Sequence, residues 1–296
     1  MSVRVPVPTR LTLPPRTPVD ESRYADLLAL VRDGGVVVLT GAGMSTASGI
    51  PDYRGPDGQR RVEPMQHGEF VTSAAGRQRY WARAFAGWEK FAAAEPNVAH
   101  RAVAELEDLG VVDWVITQNV DGLHQRAGSQ RVLELHGSLS QVTCLDCGEP
   151  IDREQVQGWL AAANPGFLES IDGGGEIRPD GDVLLAESVV QTFRTPRCLV
   201  CAGDRLKPDV VFFGGTVPRD VVDRAFELVD GARSLLVLGS SLRVMSGYRF
   251  VRRCAKAGIP VALVTRGSVR GEGEPAVHVD SLLGDVLPRL VADLGG

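Results

Sequence analysis

Four of the five cysteines fall as two C-x-x-C pairs, Cys144/Cys147 and Cys198/Cys201, with fifty residues between them. Turn formers flank both pairs, as Cys147-Gly148 and Cys201-Ala202-Gly203. Two such knuckles bring four thiolates together, the donor set of a tetrahedral structural Zn2+ site. The alternative is two redox or disulfide pairs, which an intracellular setting disfavours. Cys254 lies in a run of helical periodicity and reads as a small buried hydrophobe.

A second set of residues suits a phosphorylated, sugar-bearing ligand. Gly41-Ala42-Gly43-Met44-Ser45-Thr46 follows an apolar run, and glycines there let backbone amides approach a pyrophosphate. Thr46 occupies the third glycine slot of a dehydrogenase fingerprint, and the nearest acid about 20 residues on, Glu63, lies in a stretch without strand character. An ordinary hydride-transfer enzyme is therefore disfavoured. Residues 48–55 gather Asp52, Tyr53 and Arg54 in a turn-prone segment. Gln118, Asn119 and Asp121 can hydrogen-bond sugar hydroxyls or a carboxamide, or they form an Asx turn that caps a helix. His136 stands between an apolar run and Gly137, where an imidazole can serve as general base near neutral pH. It lies eight residues before Cys144, but four thiolates already close a metal site. His67, His100 and His278 read as caps or satisfied core groups, and His124 as intermediate.

These groups need a frame. Apolar runs at 36–39, 111–117, 132–135, 210–213, 234–238, 260–264 and 277–279 are mostly continuous rather than alternating, the pattern of strands covered on both faces. Helical segments at about 22–33, 97–109, 218–230, 247–257 and 281–293 separate them. The alternation predicts an α/β fold, a Rossmann-like doubly wound parallel sheet over 21–140 and 205–296. Ligands of such sheets bind at the carboxyl ends of the strands, where the glycines, amides and imidazole fall. Residues 51–95, rich in Arg and aromatics, read as a helical insertion; residues 141–204, which hold the cysteines, read as a small inserted zinc-binding module. Residues 1–20, with five prolines and three arginines, read as an extended tail without the apolar core of a secretory signal.

The chain has 296 residues and a formal charge of −5, against the basic excess of an electrostatic nucleic-acid binder. It lacks an apolar run of the ~18 residues that a membrane helix needs. The expected partners include neither nucleic acid nor membrane, and the default compartment is the cytoplasm.

Taken in order, GAGMSTASGIPDYRG, TQNVDGLH, LELHG, both knuckles, LKPDVVFFGG and GSSLRV resemble the sirtuin family, the NAD-dependent protein deacylases, from about residue 25 to 290. QHGEF, RQRYWARAF, CLDCGE and VMSGYRF resemble its class II branch, whose animal members are mitochondrial, which makes the mitochondrial matrix the alternative compartment. The resemblance implies NAD as co-substrate, one structural Zn2+ on Cys144, Cys147, Cys198 and Cys201, and acylated lysines of proteins as substrates. It places Gly41, Ala42, Gly43 and Thr46 at the pyrophosphate, and Asp52, Tyr53 and Arg54 on a mobile cofactor loop. Gln118, Asn119 and Val120 would face the nicotinamide ribose and an ordered water, and Asp121 the carboxamide. Gly239, Ser240, Ser241, Thr265, Arg266, Gly267 and Leu283 would lie along the phosphate and adenosine side. Asn119 and His136 would be catalytic, with His136 the general base acting through the ribose hydroxyls after nicotinamide has left. Val211, Phe212, Phe213 and Gly214 would pair the substrate as an added strand. Thr265 stands where the family usually has Asn, an exchange worth about one hydrogen bond of NAD affinity, ~0.5–1.5 kcal/mol. Tyr80 and Arg83, i and i+3 on a predicted helix, match the Tyr-x-x-Arg pairs that recognise acidic acyl groups in some members. The resemblance implies nicotinamide, deacylated lysine and O-acyl-ADP-ribose as products. Mono-ADP-ribosyl transfer from the same site and a slow NAD-responsive binding module are the alternatives.

Overall fold

The computed structural model describes residues 18–53, 63–171, 177–267, 269–270 and 275–296. Arg54, most of the expected tail and the glycine run at 173–175 lie outside the described residues.

The strands are β1 (Val36–Thr40), β2 (Val112–Thr117), β3 (Val132–Glu134), β4 (Gly137–Cys144), β5 (Pro150–Asp152), β6 (Leu206–Val210), β7 (Ser234–Leu238), β8 (Val261–Val264) and β9 (Val277–Val279). The helices are α1 (Glu21–Val31), α2 (His67–Thr72), α3 (Ala74–Ala92), α4 (Val98–Asp108), α5 (Leu123–Ala127), α6 (Arg153–Ala163), α7 (Glu187–Val190), α8 (Arg219–Asp230), α9 (Met245–Ala257) and α10 (Leu283–Gly295). Six strands form one parallel sheet in the order β3-β2-β1-β7-β8-β9. The chain builds outward from β1 to one side and from β7 to the other, so the loops after β1 and β7 part and leave a crevice.

The continuous apolar strands follow from cover on both faces. In β1, Val36 and Val38 pack into a core with α1, α4 and α10, while Val37 and Leu39 face a second core with α8 and α9. All five β1 residues are buried. Caps set where helices begin: Asp20 accepts from the amides of Ser22 and Arg23 at α1, and Asn97 forms a capping box with His100 at α4. The five expected helices match α1, α4, α8, α9 and α10 to within two residues at either end.

The expected strand at 210–213 is corrected. β6 ends at Val210 and leaves the parallel sheet altogether, pairing antiparallel with β4, which also pairs with β5. Lys207 and Asp209 alternate with buried Leu206, Pro208 and Val210, the period-two pattern of a strand covered on one face. This three-stranded sheet runs from residue 137 to 210, past both edges of the 141–204 module expected from sequence. The helical insertion does not stand apart from it. Trp81, Phe85, Trp88 and Phe91 of α3 share one core with Cys144, Ile151, Leu160, Phe193 and Leu206. The Trp81 indole donates to the Leu206 carbonyl at 3.0 Å, and Arg153 lies 4.3 Å from the Trp88 ring centre. Helix α6 went unread in the sequence because its buried stripe is short, Arg153, Val156 and Leu160.

Candidate active site

The crevice is floored by glycines that cannot carry a side chain. A Cβ on Gly43 would lie 2.8 Å from the Gly239 carbonyl oxygen, and one on Gly41 would lie 2.8 Å from Ser240 Cβ. The Gly43 amide donates to that Gly239 carbonyl at 2.9 Å, so the β1 and β7 turns touch backbone to backbone. Gly239 adopts φ +60. Ala42 opens a short 3-10 turn that ends at Met44. This bare cradle at the switch point fits a pyrophosphate.

Beside it stands a connected polar cluster. Gln118 Nε2 donates to the Thr40 carbonyl at 3.0 Å and to Ser240 Oγ at 3.1 Å, tying the ends of β1, β2 and β7 together. Asn119 Nδ2 donates to the Gly41 carbonyl at 3.1 Å and to Ser45 Oγ at 3.0 Å. Ser45 in turn donates to Asp121 Oδ2 at 2.6 Å, while Asp121 Oδ1 caps the Leu123 amide at 3.0 Å. Burial pushes the Asp121 carboxyl above its usual range, against the pull of those two hydrogen bonds. Val120 joins the cluster through its backbone, accepting from the Leu139 amide at 3.1 Å.

His136 lies between the two sheets. Its Nδ1 is 2.9 Å from the Gln118 carbonyl and its Nε2 is 2.8 Å from Ser246 Oγ at the start of α9. A carbonyl only accepts, so Nδ1 carries the proton and Nε2 presents the lone pair. Burial lowers the imidazole pKa below its ordinary value, which keeps it neutral near pH 7. Gly137 follows at φ +76, where a Cβ would fall 2.0 Å from the Asp209 carbonyl oxygen. Glycine is obligatory there, because β4 and β6 approach backbone to backbone beside the imidazole.

The remaining expected site residues divide. Thr46 is exposed, its hydroxyl turned back onto the Gly43 carbonyl at 3.0 Å. The Ser241 carbonyl accepts from the Arg270 amide, and buried Thr265 follows β8 with its amide on the Val279 carbonyl. Gly267 donates to Asp280, Arg266 is half-buried, and Leu283 opens α10 inside the core under the sheet. The hydrogen bonds of Ser241, Thr265 and Gly267 run to Arg270, Val279 and Asp280, at the β8–α10 end of the sheet. Phe212 is buried against Phe70 and Tyr80, with ring centres 5.0 and 5.2 Å away. Phe213 meets Tyr53 edge-on at 5.5 Å, and the Val211 amide is already bonded to the His136 carbonyl at 2.9 Å. Gly214 is exposed at φ +75.

Tyr80 and Arg83 both line a cavity of about 930 Å3 that also takes in Asp52, Glu69, Arg178 and Asp182. Burial and the neighbouring Asp180 push the Asp182 carboxyl up to about 8, although Arg178 lies 3.2 Å away. Arg178 and Asp182 carry no motif, so no sequence signal marked them. Ser45 and Ser246 were visible inside quoted motifs, but their partners are 76 and 110 residues away.

The four knuckle sulfurs all lie within 4.8 Å of one another. Cys144–Cys201 and Cys147–Cys198 are separated by 3.6 and 3.7 Å, far longer than the ~2.05 Å of a disulfide. A tetrahedron with Zn–S near 2.3 Å has S–S edges of about 3.8 Å, so the cluster fits Zn2+. Cys144 closes β4 and His136 immediately precedes it; eight residues at ~3.3 Å each put the metal centre about 25 Å along the strand from the imidazole. Four thiolates at that distance give a structural role.

A Sir2 family model matches residues 41–246. "NAD-dependent protein deacetylase 1" of Streptomyces coelicolor is 51% identical over 96% of this chain and 92% of its own length. "NAD-dependent protein lipoamidase sirtuin-4, mitochondrial" of Bos taurus is 46% identical, covering 95% of this chain and 90% of its own length. Among solved structures, one described as a Sir2–p53 peptide–NAD+ complex superposes with a TM-score of 0.70 at 30% identity, over 91% of this chain and 98% of that one. With the bare glycine cradle, the imidazole at the sheet junction and the four-sulfur cluster already in place, these likenesses settle the lineage: the chain belongs to the Sir2 family, the NAD-dependent protein deacylases.

Proposed function

We propose that the crevice between the β1 and β7 turns takes NAD as co-substrate and that the chain removes acyl groups from protein lysines, with His136 as general base. The observation that supports this reading is the hydrogen-bonded set running from the glycine cradle through Asn119, Ser45 and Asp121, with His136 joined to it through Gln118. NAD, when bound, supplies a ribose carbon from which nicotinamide departs and to which the acyl oxygen bonds. The chain's own groups do the rest. Both Asn119 amide hydrogens are committed to Gly41 and Ser45, so Asn119 meets a sugar hydroxyl or water with Oδ1, an acceptor. The Gln118 carbonyl fixes the His136 tautomer, and Nε2 takes up a proton from the ribose hydroxyls once nicotinamide has left. Ser240, Ser241, Thr265, Arg266, Gly267 and Leu283 are assigned to the adenosine side, and Val211 to Gly214 to the peptide groove. The products are nicotinamide, free lysine and O-acyl-ADP-ribose.

The acyl chain is assigned to the 930 Å3 cavity, and we read it as carboxyl-bearing. Arg83 Nε is buried there with no hydrogen-bond partner among the described residues, and Tyr80 lines the same wall. A peptide panel bearing glutaryl, succinyl and acetyl lysine, incubated with NAD and read by mass spectrometry of both products, tests both levels. His136→Ala turning over at the wild-type rate would overturn the base assignment, and a clear acetyl preference would reject the acyl assignment. Label passing from NAD to protein in a His136-dependent manner would mark ADP-ribosyl transfer instead. We place the chain in the cytoplasm, with the bacterial relatives in support; relatives named as mitochondrial support the matrix alternative.

A further inference from the structure

The lone pair of His136 does not face open cleft. With Nδ1–H donated to the Gln118 carbonyl, Nε2 is an acceptor, and among the described residues its hydrogen-bond partner is the hydroxyl of Ser246, Oγ to Nε2 2.8 Å. Ser246 therefore donates to the base. Ser246 is the second residue of α9, where a serine side chain commonly turns back onto a free helix amide. Here the start of α9 is closed by backbone instead: the amides of Gly247 and Tyr248 both donate to the Val244 carbonyl, at 3.2 and 3.1 Å. The Ser246 hydroxyl is thus given over to the imidazole. It is half-buried, as is His136, and its oxygen keeps lone pairs for a second donor. Gly247 is fixed by the same arrangement, because a Cβ there would lie 2.6 Å from Gln118 Oε1, and this holds the helix start against the residue whose carbonyl orients the imidazole.

We infer that Ser246 is a relay residue through which a sugar hydroxyl passes its proton to His136. This rests on the reading of His136 as general base. In the step, the sugar O–H bond breaks and its proton bonds to Ser246 Oγ. The original Oγ–H bond breaks and its proton bonds to Nε2. The sugar oxygen keeps the electron pair, the imidazole becomes imidazolium, and serine is regenerated unchanged. A single side chain at one hydrogen-bond length from the base extends its reach by about the length a bridging water would, ~2.8 Å.

Three measurements test it. In the ligand-free protein, 15N NMR of the His136 ring should show the Nδ1–H tautomer, with an Nε2 signal that moves in Ser246→Ala as the donated bond is lost. Ser246→Ala should lower deacylation roughly 10- to 100-fold relative to nicotinamide exchange, because the base acts only after nicotinamide leaves. Ser246→Thr should recover most of that loss and Ser246→Val should not, which separates the hydroxyl from the packing of the helix start. Ser246→Ala at or above the wild-type rate, equal losses in Thr and Val, or an Nε2 signal indifferent to Ser246 would each overturn the relay. His136→Ala at the wild-type rate would instead remove the base assignment itself, so the two failures are distinguishable.

Discussion

Asn119 is held from behind by a buried chain of side chains, and Thr117→Val breaks it. His124 Nε2 lies 3.2 Å from Thr40 Oγ1, Thr40 donates to Thr117 Oγ1 at 2.8 Å, and the Asn119 amide donates to the same oxygen at 3.1 Å. Thr40 spends its only hydrogen on Thr117, so His124 is the donor at Nε2. Valine is close in shape to threonine, suits a strand and is apolar, so burial alone makes the exchange neutral or favourable. Hydrogen bonding says the opposite. The Thr40 hydroxyl and the Asn119 amide both lose their acceptor at positions that are 0% and 9% exposed. Each stranded buried donor costs about 1–3 kcal/mol, so the variant loses roughly 2–6 kcal/mol. Thr117→Ser keeps the oxygen and loses one methyl, about 1 kcal/mol. At ~2 °C per kcal/mol for a chain this large, Tm falls about 4–12 °C for valine and about 2 °C for serine. Thermal unfolding followed by circular dichroism measures both. A valine variant as stable as the serine variant, or more so, refutes the claim that this chain is what fixes Asn119.

Burial holds His100 down to about 4 and His124 to about 3, with ring centres 4.9 Å apart. Their folded values lie below the unfolded ~6.5, so their stabilisation is complete above that pH and is lost as pH falls toward 4 and then 3, at up to ~1.4 kcal/mol per unit for each. Urea midpoints taken between pH 7.5 and 5 should fall accordingly, and a flat profile contradicts the buried neutral pair. Metal analysis should find one zinc per chain, and a strong chelator or Cys198→Ser should lower Tm by melting the core that the cysteines share with α3; metal-free protein of unchanged Tm would refute the site. Arg83→Met should cut the ratio of glutaryl to acetyl turnover about tenfold or more, about 1.4 kcal/mol of discrimination, as read from initial rates on the two peptides; an unchanged ratio would remove Arg83 from acyl recognition.

Much of this was legible in the sequence where one local pattern decides the outcome. The run at 36–39 is apolar at every position because both faces of β1 are covered, and the C-x-x-C spacing alone brings two sulfurs onto one turn. What escaped depends on contacts between distant segments. Residues 206–210 alternate, yet Pro208 and the apolar run after it disguise the strand, and the partner that makes it antiparallel is β4. The aromatic stripe of α3 announces a buried face without saying what covers it, so its shared core with the cysteine module appeared only in three dimensions. Gly137 reads as an ordinary turn residue, whereas the reason for it is the Asp209 carbonyl of another strand.

Those long-range contacts meet at one place. β3 ends at Glu134 in the parallel sheet and β4 begins at Gly137 in the antiparallel one, so only two residues join the two layers. Leu135 still pairs with the first sheet, its amide on the Thr117 carbonyl at 2.8 Å, and the next carbonyl, that of His136, accepts from the Val211 amide at 2.9 Å. The backbone on either side of the imidazole is therefore held by different sheets, and its ring by a third element, α9. An imidazole held this way needs little rearrangement if charge develops on it, the condition for proton transfer that the proposed base role requires. The same construction ties the cysteine cluster to the imidazole: the cysteines anchor the far end of β4, and β4 starts at the residue after His136.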